Sequence, residues 1–257
     1  MKRMSIVLLL TSIFMLSQGI GFAITGQELA QKVYNRYDGD DAYYKIEMSL
    51  IDRRGKERRR EMEIFVKDFS GLDKTYIKFL SPNDIKGTSF LSVERIDKDD
   101  LQYLFLPDLG RARRIVSSQK RNRFVNTDYT YEDMERRKPD KDEHKIIGEE
   151  EFIGRDCYKL ESLPKKGTSQ YSKRISWVDK ESFLILKTDF YDRKGKLIKR
   201  FWVDKVSEID GIWTVMDSTM HDLKRSHKTR MVVKEVKYNQ GLSEEMFSVR
   251  YMERHWR

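Results

Sequence analysis

From Tyr43 to Tyr238 the chain alternates apolar and polar positions in short runs. Tyr44, Ile46, Met48 and Leu50 alternate with Lys45, Glu47 and Ser49, the period of two of a half-buried strand. Met62, Ile64 and Val66 resume the pattern beyond Asp52-Arg53-Arg54-Gly55-Lys56, a turn sequence, so the two runs are expected to pair as a hairpin. The device returns at Asp192-Arg193-Lys194-Gly195-Lys196, again between strand-like runs, and both glycines are expected to take positive φ. Comparable runs continue to Thr229–Tyr238, giving about eleven strands joined by short turns. No strand–helix alternation appears. The pattern therefore predicts a mainly β chain, an antiparallel sheet curled into a barrel or part of one, and disfavours a parallel α/β fold.

Two segments break the rhythm. Thr25 to Tyr37 reads as a helix: Thr25 and Glu28 have the spacing of a capping box, and Leu29, Val33 and Tyr37 form a one-sided apolar stripe. Such a helix either packs on the sheet or covers an opening in it. Ser117 to Lys141 carries Arg121, Arg123, Arg136, Arg137 and Lys138 among Asp128, Glu132, Asp133 and Glu135. Asp128 or Thr130 can cap a short helix through Tyr131-Glu132-Asp133-Met134. An insertion of this length between strands is either a solvated connector or a lid or binding loop.

Residues 1–23 read as a signal peptide. Lys2 and Arg3 give a positive start, Met4 to Leu16 an apolar stretch, and Gly21-Phe22-Ala23 small residues at both cleavage subsites. The apolar stretch is short for a membrane span, and no cysteine follows it to accept a lipid. The expected product begins near Ile24 and is periplasmic, as a single domain over 24–257. With Cys157 as the only cysteine, no internal disulfide is available, and Cys157 reads as a buried small hydrophobe in a strand. Charged residues make up 36% of the chain with a formal net charge of +9. Both signs are interspersed, and the excess suits anionic partners such as lipid headgroups, a membrane surface or an acidic protein face. No nucleic-acid recognition motif accompanies it.

The sequence offers little chemistry. His144, His221, His227 and His255 lack metal-ligand spacing, no nucleophile elbow, zinc-protease or phosphate-loop motif occurs, and most carboxylates have basic neighbours. The expectation is a protein that is not an enzyme and needs no cofactor or metal. What the chain has in quantity is bulk: 13 Phe, 13 Tyr, 11 Met and 4 Trp. These can fill a closed core or line a cavity for flexible apolar ligands.

Several stretches together carry a resemblance. Leu80-Ser81-Pro82-Asn83-Asp84-Ile85-Lys86 precedes Gly87-Thr88-Ser89-Phe90-Leu91, and Leu104-Phe105-Leu106-Pro107-Asp108-Leu109-Gly110-Arg111-Ala112-Arg113-Arg114-Ile115 follows. Then come Asp128-Tyr129-Thr130-Tyr131-Glu132-Asp133-Met134, Trp177-Val178-Asp179-Lys180-Glu181 and Leu186 to Asp192, closing on Tyr238-Asn239-Gln240-Gly241-Leu242 and Phe247-Ser248. In order and spacing they resemble the LolA-like outer membrane lipoprotein-sorting protein family. One departure is Asn126-Thr127, where the resemblance leads one to expect Gly-Ser before Asp128.

The resemblance implies an open, incomplete antiparallel β-barrel with an apolar concave face partly covered by helices. It also implies a periplasmic, monomeric carrier that binds acyl chains of a lipid or lipoprotein. Its partners would be an inner-membrane transporter and an outer-membrane acceptor, with no role for nucleic acid. The alternative is a non-shuttling accessory domain docked on a resistance-nodulation-division type exporter. Alternation and bulk select Met48, Leu50, Met62, Ile64, Phe90, Tyr103, Phe105, Trp177, Trp202 and Met216 as candidate lipid-binding residues. Arg111, Arg113 and Arg114 are candidates for a headgroup or partner protein.

Overall fold

A computed structural model of the chain describes residues 24–256, so the expected signal peptide lies outside the described residues. Helix α1 (Gly26–Tyr34) opens the structure. Six strands follow: β1 (Asp41–Ile51), β2 (Glu57–Asp68), β3 (Asp73–Ser81), β4 (Ser89–Val93), β5 (Leu101–Leu106) and β6 (Arg111–Ile115). After a segment built of short 3-10 turns come β7 (Asp142–Phe152), β8 (Arg155–Pro164), β9 (Lys173–Asp179), β10 (Ile185–Tyr191), β11 (Leu197–Ile209), β12 (Ile212–Asp222) and β13 (His227–Tyr238). A short helix, α2 (Val249–Arg254), ends the described chain.

All thirteen strands form one antiparallel sheet in the order β6-β5-β4-β3-β2-β1-β13-β12-β11-β10-β9-β8-β7. Two meanders are thus joined where β1 pairs with β13, and the sheet stays unclosed, with β6 and β7 as its edges. The strands outnumber the eleven expected because even the five-residue runs Ser89–Val93 and Arg111–Ile115 form ladders of their own. Both repeated turns form as expected, with φ of 79° at Gly55 and 75° at Gly195.

The capping box on α1 is present: the Glu28 N–H donates to Thr25 Oγ1 at 3.2 Å, and the Thr25 N–H donates to Glu28 Oε2 at 2.8 Å. The helix ends earlier than expected. The Asn35 N–H closes its last turn on the Gln31 carbonyl, which leaves Tyr37 outside the helix and 60% exposed. Leu29, Ala30 and Val33 pack on Leu160 of β8 and Val178 of β9, so α1 lies against the β7–β9 end of the sheet.

Directly paired residues share a face of a sheet. On the inner face, Ile46, Met48, Leu50, Met62, Ile77, Phe79 and Phe90 form an apolar cluster with Phe124 and Tyr131 of the 3-10 segment. On the outer face, Tyr76, Leu91 and Phe105 pack against Phe247 and Met252, so the C-terminal residues cover the backs of β3–β5. Both sides of this half of the sheet are therefore core. Met252 is fully buried at the centre of the outer cluster. Met252→Ala is expected to lower the unfolding free energy by about 2–5 kcal/mol in a denaturant titration; an unchanged midpoint would mean that α2 adds nothing to the folded unit.

Candidate ligand cavity beneath the covering segment

Residues 116–141 run from one open edge of the sheet, β6, to the other, β7, and lie across the inner face. The segment is anchored at one side by rings. Phe124 meets Phe90 edge-on with centroids 5.1 Å apart, and Tyr131 packs on both. The Gln102 amide donates to the Tyr131 carbonyl at 2.8 Å. The bend before Asp128 forms despite the absence of glycine. Asn126 takes φ of 62°, a left-handed conformation that asparagine tolerates better than most residues, and the Thr127 hydroxyl donates to the Phe124 carbonyl at 2.7 Å.

Elsewhere polar ties hold the segment. The buried Asp128 accepts from the Thr229 hydroxyl at 2.7 Å and pairs with His227 Nδ1 at 2.6 Å, which pins it to β13. Tyr131, rather than Asp128 or Thr130, stands at the N-cap of the turn Glu132–Met134, and Thr130 just before it exchanges hydrogen bonds with Asp133. Asp133 also accepts from Lys199 Nζ at 2.7 Å and from the Tyr171 hydroxyl at 2.8 Å, and burial pushes the Tyr171 phenol well above its ordinary range. Arg136 donates to Asp73 Oδ2 at 2.6 Å and to the Tyr34 carbonyl, and Tyr34 donates its hydroxyl to Glu94. Arg137 and Arg174 both donate to Asp142. Burial alone would raise the Asp142 carboxyl, but these two guanidinium groups hold it below its usual range.

Two adjoining cavities lie beneath this cover, and a third adjoins them outside it. The largest, about 430 Å³, has Ala30, Val33, Leu160, Ile185, Phe190, Phe201 and Met220 as its apolar wall and Arg137, Asp142, His144 and Arg174 as its polar one. A second, about 290 Å³, shares Tyr129, Asp133, Glu135 and Arg136 with it and adds Met62, Ile64, Phe124 and Met231. A third, about 260 Å³, shares Ile64 and Met231 with the second and reaches Tyr44, Trp213 and Tyr238.

The register explains the floor of the largest cavity. One row of paired residues crosses the inner face: Leu50, Thr229, Met220, Phe201, Thr188, Ser176, Leu160 and Ile146. Ser176 and Thr188 are the short members between Phe201 and Leu160. Their hydroxyls bond to each other at 3.0 Å, which satisfies both without a third partner. The space a large side chain would fill is left open.

The expected lining residues separate sharply. Met62 and Ile64 line the cavities. Met48, Leu50 and Phe90 lie on the same inner face, packed into the cluster under the cover. Tyr103 and Phe105 belong to the outer cluster against α2. Trp177 and Trp202 also face outward: the register sets Lys187 between them, with Lys187 Nζ 3.7 Å from the Trp177 ring centroid. Met216 sits at an irregularity in the β11–β12 ladder, half-buried and outside the cavities. Arg111, Arg113 and Arg114 are exposed along the edge strand β6. Leu160, Ile185, Phe201 and Met220 line the cavity and are not among the expected residues, although alternation around Phe201 and Met220 carries the same signal. Cys157 is buried, and burial pushes its thiol up to about 11. No group of His, Cys, Asp and Glu able to hold a metal occurs among the described residues.

A family model described as an uncharacterized protein matches residues 71–254. The crystal structure of a DUF1329 family protein from Desulfovibrio piger is 32% identical, covers 88% of this chain and 97% of its own, and has a TM-score of 0.83. That of an outer membrane lipoprotein-sorting protein domain from Vibrio parahaemolyticus is 30% identical, covers 89% of this chain and 98% of its own, and has a TM-score of 0.84. The chain belongs to the LolA-like outer membrane lipoprotein-sorting protein family. A LolA superfamily protein from Nitrosomonas europaea shares the fold at 19% identity, with a TM-score of 0.69 over 89% of this chain and all of its own. No curated protein matches the chain. The open sheet expected from the family resemblance is therefore the fold observed.

Within this family fold, Asp73 joins the cover to β3 and titrates where it can be measured. Burial pushes its carboxyl up to about 6 from 3.8, against the pull of the Arg136 guanidinium. A carboxyl raised in the folded state holds its proton more tightly there than in the unfolded chain. Its contribution to stability therefore falls as pH rises from about 4 to about 6 and is constant above. Asp73→Asn is expected to flatten that part of the profile by no more than about 3 kcal/mol, less as solvent screens the pair. Denaturant titrations of both proteins across this range test it, and parallel profiles would place the titration elsewhere.

Proposed function

We propose that the chain is an exported periplasmic carrier that shelters the acyl chains of a lipid or lipoprotein beneath residues 116–141 and passes it between membranes. The observation that carries this reading is the larger of the two cavities beneath the cover. Its apolar wall and its half-buried arginine and histidine wall sit side by side, and its volume falls within the about 300–1,000 Å³ of ligand pockets. That division suits an amphiphile, with acyl chain against Leu160, Ile185, Phe201 and Met220 and headgroup toward Arg137 and Arg174. The name of the Vibrio relative, a lipoprotein-sorting domain, supports the same reading. No described helix is long and apolar enough to span a membrane.

The physical task is plain. An acyl chain in water costs about 0.8 kcal/mol per CH₂ relative to an apolar site, so a long chain does not leave a bilayer at a useful rate unprotected. The covering segment excludes water, and its ties are mostly hydrogen bonds and ion pairs that water can replace on opening. Delivery then requires the cover to move, and the exchange of its polar ties for water keeps that movement within reach. In this reading the protein performs no reaction and works as one monomeric domain. It takes cargo from an inner-membrane transporter and gives it to an outer-membrane acceptor.

The test fills the floor. Ser176→Leu with Thr188→Leu removes both members of the hydroxyl pair at once and so orphans neither. Native mass spectrometry of protein isolated from the periplasm is expected to show stoichiometric lipid on the original chain and at least about tenfold less on the double variant, both folded by circular dichroism. Equal lipid on both, or none on either after exposure to lipid, would overturn the reading.

A further inference from the structure

The antiparallel meander places alternate hairpin turns at one end of the sheet, and four turns that neighbour each other in sheet order are strongly basic. They join β1–β2, β12–β13, β10–β11 and β8–β9. The first carries Arg53, Arg54 and Lys56 and the third Arg193, Lys194 and Lys196, all exposed. The second adds Lys224 and Arg225 and the fourth Lys165 and Lys166, also exposed. Lys224 Nζ lies 3.7 Å from Asp192 Oδ2, so the second and third turns are in contact.

The acids in these turns offset the row only in part: each turns one carboxylate oxygen to its own backbone, while Asp192 Oδ2 faces Lys224 and Asp128 pairs with Arg225 at 3.3 Å. Asp52 Oδ1 accepts from the Arg54 and Lys56 N–H groups at 2.8 and 3.0 Å. Asp192 Oδ1 accepts from Lys194 and Lys196 at 2.9 and 3.0 Å, and Asp222 Oδ1 from Lys224 and Arg225 at 3.0 and 3.1 Å. The same device folds the carboxylate inward and leaves the cations outward in three turns. The opposite end of the sheet presents Asp40, Asp97, Asp99 and Asp210, all exposed. Along these eight strands the basic turns therefore stand opposite Asp40 and Asp210, while the β3–β4 and β5–β6 turns at the basic end expose Asp84 and Asp108.

We propose that this row of basic turns is a docking surface for an anionic bilayer, and that it orients the protein with its strand ends toward acidic phospholipid headgroups. Eight strands about 4.8 Å apart make the row on the order of 30 Å long. A protein partner is read through a dry apolar or aromatic centre, and the exposed residues of the turn tips are only Lys, Arg, Gly, Ser and Thr, with Leu223 half-buried beneath them. A charged bilayer needs no such centre: each exposed Lys or Arg adds attraction to it, within a Debye length of the surface. The surface does not depend on the carrier reading, since bare vesicles suffice to detect it.

The probe is flotation of the protein with vesicles of phosphatidylcholine alone or of phosphatidylcholine and phosphatidylglycerol in equal parts. Binding to the anionic vesicles only, lost on raising salt, is expected. The variant Arg53→Glu/Arg54→Glu/Arg193→Glu/Lys194→Glu should bind at least about tenfold more weakly with an unchanged melting curve. Arg111→Glu/Arg113→Glu/Arg114→Glu on the edge strand should keep most of the binding. The proposal is overturned by equal binding to both vesicle types, by loss in the edge-strand variant alone, or by binding to soluble poly-glutamate without binding to vesicles.

Discussion

The two edges of the sheet do not meet, and most of the structure answers that fact. A closed barrel pairs every strand and hides its interior behind its own wall. Here β6 and β7 stay apart, and the chain spends residues 116–141 and helix α1 on covering what closure would have covered. A covering segment without regular ladders must find partners for its own polar groups, since buried ones left unpaired cost more than the bonds return. The ties of Asp128 to β13, Asp133 to Lys199, Arg136 to Asp73 and Arg137 to Asp142 are that solution. They bring charge into the interior, and the cavity beneath inherits it as a polar wall.

This explains how the fold can be legible in the sequence while the site is only half legible. Strand periodicity, the glycines of the two repeated turns and the Thr25–Glu28 box depend on neighbours in sequence, and each was recognisable there. Alternation also divides a strand into two faces, but it does not say which face is inner. On β5 both sides are core: Gln102 lies buried under the cover, and Phe105 lies buried against α2. Choosing by bulk therefore selected Tyr103 and Phe105 on the wrong side. Trp177 and Trp202 mislead differently. Their rings are sheltered on the outer face by lysine stems and ammonium groups, a cover that hydropathy does not register. The residues that make the cavity floor, Ser176 and Thr188, matter because they are small, and smallness has no periodic signature.

Breaks in the ladders blur the pattern further. Irregularities lie between Ile185 and Lys187, between Val203 and Val206, and between Lys45 and Ile46. The first and third displace the parity of the residues beyond them by one position, whereas the second is a pair of opposite steps that leaves Asp204 and Met216 unpaired and then restores the register. Met216 sits at one of them, and Ile185 reaches the cavity beside another. A run of alternating residues is trustworthy only between bulges, and bulges depend on long-range pairing that no single strand encodes.

The charge pattern shows the converse, a global property written in local code. Composition gave only a basic chain with both signs mixed, which says nothing of where the excess sits. Position along a meander supplies the missing information, because every second turn emerges at the same end. An aspartate that opens such a turn is held by two backbone N–H groups, which keep the carboxyls of Asp52 and Asp192 below their usual range. One of its oxygens is turned to its own loop, so the basic residues beside it, Arg53, Arg54 and Lys56 in one turn and Arg193, Lys194 and Lys196 in another, are left exposed. Three of the four turns carry one acid among several bases and the fourth none, and together they fold into a predominantly basic row. Strand parity decides the two faces of this sheet, and turn parity decides its two ends.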